Sequence, residues 1–498
     1  MNVGKFANYR PIVLASICLA LGIFIGALTA NVGVAFFVIL SVFIVATVVS
    51  FFLKFTSIKI GTIFLLIGFL AMSITCFTAF TEEVKQESFY FEGRVKEITD
   101  IGESKNRYVL EDVTALGENV GGKVLVDLEE DYKIGDVIGV EGSFENIPFN
   151  PFDSYSVSKH RKNIIFKSNG ENSVKLRETK QTLIEKIRIK LASIYLEELG
   201  DENGGIALGL VLGDTSYVDY ETAEEMRESG LSHLFSVSGL HVGFMSTIIF
   251  VLFKLFRVDK KKSIIWVILI LLFYGALTGF PVGVVRASIM SILILFAEIR
   301  LKRYDQLNGL ALTVLIILLV NPLELFSVSF LLSVAAMFGI ACFYWSITNL
   351  YKGDNYFIKS LVGSMAVSIS ANVFVLPVSA YYFGTASLYF VLANLLVVPL
   401  ASLSYFLLVP LSVFSLIIPE LGILMVPIRG PLFLIRFFTS MVSALPFATL
   451  KLGMTALGAL LYSFGFIVVS KFYMGSKYSK IVLSGLSFIA CALIFFLI

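Results

Sequence analysis

Charge is scarce in this 498-residue chain: Asp, Glu, Lys and Arg make up 15% of it, hydrophobic residues 57%, and the mean hydropathy is +0.86. That balance excludes a soluble globular protein, in which about a quarter of residues are charged. Histidine is scarcer still. His160, His233 and His241 are the whole supply, so a histidine-rich metal site cannot be assembled. The four cysteines, Cys18, Cys76, Cys342 and Cys491, all fall in apolar runs with no CxxC among them, which removes support for a zinc site or a disulfide framework. A nucleotide-binding loop is missing as well. Gly117-Glu-Asn-Val-Gly-Gly-Lys123 matches the first part of a P-loop, but Val124 stands where Ser or Thr must hold magnesium, and the setting is strand to strand. No cofactor, metal site or catalytic residue is expected, and a net charge of +2 points to no class of partner.

What the chain has in abundance is long apolar runs. Ile12 to Ala30, Val34 to Leu53 and Ile60 to Phe80 are each long enough to cross a hydrocarbon core of about 30 Å as a helix. Lys5 and Arg10 precede the first run, but two further spans follow at once and no small-residue cleavage site closes it, so it is expected to stay in the protein. A polar stretch then alternates in the manner of strands at Phe89–Ile98, Arg107–Val113, Lys123–Leu128, Val137–Phe144 and Ile164–Lys167, separated by Gly, Asp and Asn turns. Five short strands in about 95 residues predict a small barrel of OB type.

From Leu231 onward some eight to ten apolar segments follow, at 234–256, 263–279, 284–300, 306–320, 325–349, 358–383, 387–418, 421–443, 455–473 and 481–498. Pro377, Pro399, Pro410 and Pro427 free carbonyls within them, so kinked or re-entrant pieces are expected among the crossings. The predicted fold is a polytopic α-helical membrane protein with a small all-β domain inserted after three N-terminal helices. Residues 1–81 are the three spans, 82–178 the OB-like domain, 179–230 an amphipathic helical connector and 231–498 a multi-span domain.

Short cytoplasmic loops hold Lys and Arg in excess. Lys5 and Arg10 put the N-terminus inside, Lys54 and Lys59 mark the return after the second span, and the third span delivers the β domain outside. Alternating spans can also place the basic clusters Arg257–Lys262, Arg300–Arg303, Lys352–Lys359 and Lys471–Lys480 inside.

Polar residues at membrane depth are costly and usually face a bundle interior or an aqueous path. Gly230-Leu-Ser-His-Leu-Phe-Ser-Val-Ser-Gly-Leu-His-Val-Gly243 concentrates two histidines and three serines at the mouth of a span. The bland alternative is that Ser232 caps the helix and the other hydroxyls return to backbone carbonyls. Ser238 with His241, or His233 with Ser236, has the spacing to meet on a helix face, yet no carboxylate within the segment orients either histidine as a base. Gly279-Phe-Pro-Val-Gly-Val-Val-Arg286 places a guanidinium just after a broken turn. There it either snorkels to the interface or holds a phosphate or a buried acid. Arg429 and Arg436 carry the same two readings. Asn372, Asn394 and the Asn321-Pro322 pair either line a path or pack between helices.

The segment at 230–243 closely resembles the signature of the ComEC family, the inner-membrane DNA-uptake channel of naturally competent bacteria. Further stretches are similar to the same family: Asn150-Pro-Phe-Asp-Ser-Tyr155 with His160-Arg-Lys-Asn-Ile164, Leu208-Gly-Leu-Val-Leu-Gly-Asp214, Gly279 to Ala287, Asn321-Pro-Leu-Glu-Leu-Phe-Ser327 and Leu392-Ala-Asn-Leu-Leu-Val-Val-Pro399. Two departures stand out. There is no HxHxDH motif of the metallo-β-lactamase-like domain that ends larger members, so a short form without nuclease activity is expected, and Asn372 stands where the family has glutamine.

The resemblance implies transport of single-stranded DNA through a multi-pass protein of the bacterial inner membrane, with the β domain outside. The channel path would comprise Asp214, His233, Ser236, Ser238, Gly239, His241, Pro281, Arg286 and Asn394. On the β domain, Tyr155, His160, Arg161, Lys162 and Lys167 would receive the strand. Residues 84–178 hold 13 Lys and Arg against 18 Asp and Glu, so DNA must use the basic strip of His160, Arg161, Lys162, Lys167, Lys175 and Arg177 with Tyr155 and Phe166 as stacking platforms. Implied partners are single-stranded DNA, membrane lipid, and separate DNA-receptor, nuclease and cytoplasmic ATPase chains. A transporter of another solute and an intramembrane Ser/His hydrolase remain the alternatives.

Overall fold

The computed structural model describes residues 10–29, 33–53, 55–79, 89–100, 106–115, 117–178, 181–237, 239–255, 257, 260–300, 303–473 and 475–497. They form two compact units. One runs to Ile189 and includes Leu315–Ser327; the other comprises Lys190–Val314 and Val328–Ile498.

The first unit opens with helices α1 (Pro11–Thr29), α2 (Gly33–Phe52) and α3 (Thr56–Ala79). Small residues let α1 and α3 approach to backbone contact: a Cβ on Gly22 would lie 2.1 Å from the Leu65 carbonyl oxygen, and one on Gly68 would lie 2.2 Å from that of Leu19. Contacts advance together along both helices, Cys18 with Gly61, Gly22 with Leu65 and Gly26 with Phe69, so the two run parallel.

The barrel follows, with β1 (Phe89–Asp100), β2 (Asn106–Ala115), the two-residue β3 (Glu118–Asn119), β4 (Lys123–Leu128), β5 (Asp136–Asn146) and β6 (Ile164–Glu178). Its strands run in the order β1-β5-β6-β4-β2 and close through β1–β2. Only β4–β6 pairs parallel. Period-2 alternation fills the interior with Phe91, Tyr108, Leu110, Val124, Val126, Ile138, Val140 and Phe144, while Val109, Leu125, Ile147 and Ile164 make a second small core on the other face. The Tyr108 hydroxyl satisfies itself by donating to the Glu130 carbonyl at 2.7 Å.

The fifth strand corrects the sequence expectation, which ends it at Lys167. Ser168-Asn-Gly-Glu-Asn-Ser173 reads as a turn, yet β6 runs on to Glu178 because β5 pairs with it from Phe166 to Glu178, while β4 lines its other edge only as far as Asn169. Gly170 is needed inside the barrel, where a Cβ would meet Leu128 Cδ2 at 2.4 Å.

Helix α4 (Ser154–Arg161) sits between β5 and β6, capped by Asp153, whose carboxylate accepts from the backbone N–H of Tyr155 and Ser156. Arg161 at its end reaches the 3-10 turn Pro322–Phe326 of the same unit. Its Nη1 donates to Glu324 at 3.0 Å and to Ser327, and the Phe152 and Phe326 rings meet edge-on at 5.8 Å, with Phe24 of α1 beside both.

The second unit takes most of α5 (Leu183–Leu199), then α6 (Asp201–Leu212), α7 (Tyr220–Glu228), a 3-10 turn Ser232–Leu234, α8 (Gly239–Leu255), α9 (Lys260–Thr278), α10 (Val282–Ile299) and the start of α11 (Gln306–Val320). After the excursion through the first unit come α12 (Val328–Thr348), α13 (Tyr356–Phe383), β7 (Thr385–Ser387), α14 (Phe390–Ile417), a 3-10 segment Pro419–Ile428, α15 (Arg429–Ser443), β8 (Thr449–Lys451), α16 (Ala456–Val469) and α17 (Lys477–Leu497). Strands β7 and β8 pair antiparallel.

Seven segments among the described residues are long and apolar enough to cross a membrane: Pro11–Thr29, Thr56–Phe77, Val328–Thr348, Tyr356–Phe383, Phe390–Ile417, Pro419–Ser443 and Lys477–Phe495. The chain is a multi-pass membrane protein. The four prolines fall in two settings. Pro377, Pro399 and Pro410 lie within continuous helices α13 and α14, whereas the segment expected as one run at 421–443 divides into 3-10 and α-helix just after Pro427.

Candidate functional site

Gly230 takes φ +79° at the end of α7, where a Cβ would press on Ser387 at 3.0 Å. His233 follows in the 3-10 turn with its Nδ1 3.2 Å from the Gly230 carbonyl and its ring exposed; Ser236 is exposed too. Ser238 lies outside the described residues. Gly239 opens α8, and one residue further into that helix than its neighbour Leu240, His241 is 1% exposed with its ring edge-on to Tyr405 at 4.8 Å. His233 is reachable by solvent and His241 is packed, yet the two lie close enough for their charges to act on each other. Among the described residues no group of His, Cys, Asp or Glu has the arrangement of a metal site.

Asp214 shapes the turn after α6, accepting from the backbone N–H of Ser216 at 3.2 Å and from its hydroxyl. Pro281 starts α10 after a strained corner in which Gly279 has φ +80° and the non-glycine Phe280 has φ +52°. Arg286, in the second turn of α10, is 7% exposed, so its guanidinium packs inside the protein. Its Nη1 donates to the carbonyl of Ser333 in α12, its Nε is buried without a hydrogen-bond partner, and no ion pair to it is found among the described residues. Its Nη2 lies 4.0 Å from the point a Cβ on Gly239 would occupy. The guanidinium and the start of α8 are thus neighbours.

Asn394 of α14 has its Nδ2 3.4 Å from the Ser368 hydroxyl of α13, and its Oδ1 is buried without a partner, as are the hydroxyls of Ser370 and Ser404. Such groups are expensive at membrane depth.

Sequence reasoning missed three buried tyrosines. Tyr195 of α5 shares a hydrogen bond with Ser412, Tyr274 of α9 donates to the Val211 carbonyl at 2.9 Å, and Tyr405 of α14 meets the His241 ring edge-on. The available signal was a phenol inside an apolar run, which must find a polar partner when buried.

On the barrel, the expected basic strip is broken up. Arg161 is engaged by Glu324 and Ser327, Lys162 by Glu97 at 2.8 Å, and Lys175 by Asp136 and Glu178 at 3.0 and 2.7 Å. His160 is half-buried against Phe149, and burial holds its imidazole below the ordinary histidine range, so it adds no cation at neutral pH. Phe166 points into the barrel core. What the barrel does gather is a smaller cluster: Arg107 grips Asp127 through two bonds of 2.6 and 2.8 Å and holds that carboxyl below its usual range, with Lys159 and Lys167 close enough to add to the effect. Exposed Tyr155 lies under Lys159 Nζ at 5.2 Å. Arg107 was not singled out in the sequence because its neighbours in this cluster come from three other elements.

Three proteins of known name align with the chain over comparable stretches. ComE operon protein 3 of Bacillus subtilis is 29% identical over 214 residues, 43% of this chain and 26% of the relative. Recombination protein 2 of Haemophilus influenzae is 27% identical over 238 residues, 45% of this chain and 30% of the relative. The uncharacterized protein YcaI of Escherichia coli is 25% identical over 243 residues, 46% and 30% of the two chains. The aligned stretch covers less than a third of each relative's own length. No solved structure is significantly similar to the chain. A family model described as competence protein matches residues 210–477, more than half the chain and the whole stretch from the end of α6 to the start of α17, and the protein accordingly belongs to the competence protein family.

Proposed function

We propose that this protein takes up DNA in natural transformation by passing single-stranded DNA through its helical bundle into the cytoplasm. The observation that carries the reading is the family match over residues 210–477 together with four of the buried polar atoms in it that lack protein partners, Arg286 Nε, Asn394 Oδ1, Ser370 Oγ and Ser404 Oγ. Left unpaired, each costs on the order of 1–3 kcal/mol. A substrate carrying phosphates and base edges offers acceptors and donors to all of them, which an apolar solute does not. The barrel, on the outer side of the inner membrane, receives the strand on Lys159 and Lys167, with Tyr155 as a stacking surface. A separate receptor, nuclease and cytoplasmic ATPase chain complete the system.

The test is uptake of end-labelled duplex DNA by the host with this gene deleted and with it restored. Deletion is expected to abolish nuclease-protected, internalised label and transformants while leaving surface-bound label in place. Undiminished internalised label in the deletion strain refutes the reading.

A further inference from the structure

We propose that the N-terminus of α8 and the guanidinium of Arg286 form a phosphate-binding cradle, with Gly239 as the floor that lets a phosphate approach the helix. The inference deepens the DNA-passage reading and rests on it for the identity of the phosphate's owner.

Helix α8 is 17 residues long and begins at Gly239. The first four N–H groups of a helix have no intrahelical acceptor, and the helix dipole puts partial positive charge there, so this end favours an anion. A helix end alone is common. The independent feature is Arg286, which is more than nine-tenths buried and faces that end, its Nη2 4.0 Å from the position of a Cβ on Gly239. Of the edges a guanidinium offers, the Ser333 carbonyl occupies Nη1. The Nε–Nη2 edge, whose Nε has no protein partner, is the side that binds two oxygens of one phosphate in parallel.

The surroundings suit a transient anion. Val237, Val242, Val284 and Ala287 belong to a buried apolar cluster, so the local dielectric is low and a buried guanidinium is costly unless an anion joins it. No carboxylate among the described residues pairs with it, so an incoming phosphate has no resident anion to displace.

Glycine at 239 matters for space rather than for backbone freedom. A methyl there would stand 3.6 Å from Ala287 Cβ and 4.0 Å from Arg286 Nη2, ordinary contacts that leave the helices where they are while filling the gap between helix end and guanidinium. Gly243, one turn on, has open space beside it within 4 Å, so the same helix face stays clear beyond the cradle.

The chemistry recognised is a phosphate with two free oxygens, which a DNA backbone, inorganic phosphate and a phospholipid headgroup all carry. The experiment measures binding of fluorescein-labelled dT12 to the full-length protein in a phosphate-free detergent, for wild type, Arg286→Lys and Gly239→Ala. Inorganic phosphate, short-chain phosphatidylglycerol and an uncharged methylphosphonate dT12 serve as competitors. Each variant is expected to weaken dT12 binding about tenfold or more at unchanged thermal stability, since lysine keeps the charge but loses the fork and alanine keeps the fork but fills the gap.

Competition by inorganic phosphate at high concentration, with none by the lipid or the methylphosphonate oligomer, assigns the cradle to backbone phosphates. Displacement by the lipid at concentrations comparable to dT12, lost in both variants, keeps the phosphate cradle but takes it away from DNA passage. Displacement by the methylphosphonate oligomer, or wild-type dT12 affinity in both variants at wild-type stability, overturns the cradle and leaves Arg286 a tie between α10 and α12, whatever the uptake assay gives.

Discussion

The seam between α1 and α3 permits a prediction whose size follows from distances. Gly22→Leu puts a Cβ 2.1 Å from the Leu65 carbonyl oxygen and 2.9 Å from the Phe69 nitrogen, both backbone atoms that cannot rotate away. Restoring a contact of 3.4 Å needs the helices to part by about 1.3 Å there, a gap that forfeits about half of each dispersion contact across the seam. The side chains that lose them, Leu19, Ile23, Phe69 and Met72, are fully buried. Lipid chains are as apolar as the seam and recover part of the loss, so the net cost is about 2 kcal/mol, or roughly thirtyfold in the closed-to-parted equilibrium.

The readout uses a cysteine already present. A Cβ on Gly61 would lie 3.3 Å from Cys18 Sγ, close to what a disulfide requires, so Gly61→Cys should crosslink to Cys18 under mild oxidation once Cys76, Cys342 and Cys491 are replaced by alanine. Adding Gly22→Leu should slow that crosslink about tenfold or more. Equal rates with Gly22 and with Leu at that position, or no crosslink in the parent, would show that the two helices do not meet at these glycines.

The remaining predictions concern the barrel and the topology. Arg161→Ala and Glu324→Ala should loosen the barrel's attachment to the same degree, with a double mutant no worse than either and a coupling of roughly 1–3 kcal/mol in protease protection. A DNA-binding role for Arg161 instead predicts that Arg161→Ala lowers strand retention while Glu324→Ala does not. A reporter active only outside the cytoplasm should be active after Gly142 and silent at Lys260. In a cysteine-free background, Glu420→Cys should react with a membrane-impermeant thiol reagent applied from outside. Protection until the membrane is permeabilised would place that turn inside.

Much of this architecture was legible because it depends on local pattern. The first three apolar runs give helix bounds within a few residues, and the alternating residues of β1, β2, β4 and β5 place their strands. What failed depends on partners distant in sequence. The tail of β6 has turn-forming residues and becomes a strand because the distant β5 pairs with it, and the cations of the expected strip are engaged by Glu97, Asp136 and Glu324, which no window around residues 160–177 contains. At the site, the broken turn before Arg286 was readable, but its burial and its approach to Gly239, 47 residues earlier, were not.

The segment 390–443 carries that limit furthest. Hydropathy counts α14 and Pro419–Ser443 as two crossings, which by strict alternation from the basic cluster Lys352–Lys359 turns the chain back on the cytoplasmic side near Glu420. Packing argues otherwise. Lys190 donates to the Leu416 carbonyl at 2.9 Å, Tyr195 bonds Ser412, Arg429 donates to the Glu198 carbonyl at 2.8 Å and Arg436 pairs with Glu202. Every one of those partners lies in α5 or the first turn of α6, the charged helices that directly follow the barrel in sequence, and the turn itself carries Glu420 with no Lys or Arg between Ile418 and Arg429. A turn held by ionic and carbonyl contacts to that connector, and lacking the basic residues that mark a cytoplasmic loop, belongs on the connector's side of the membrane. Hydropathy measures whether a segment tolerates lipid; it does not report whether the segment crosses it.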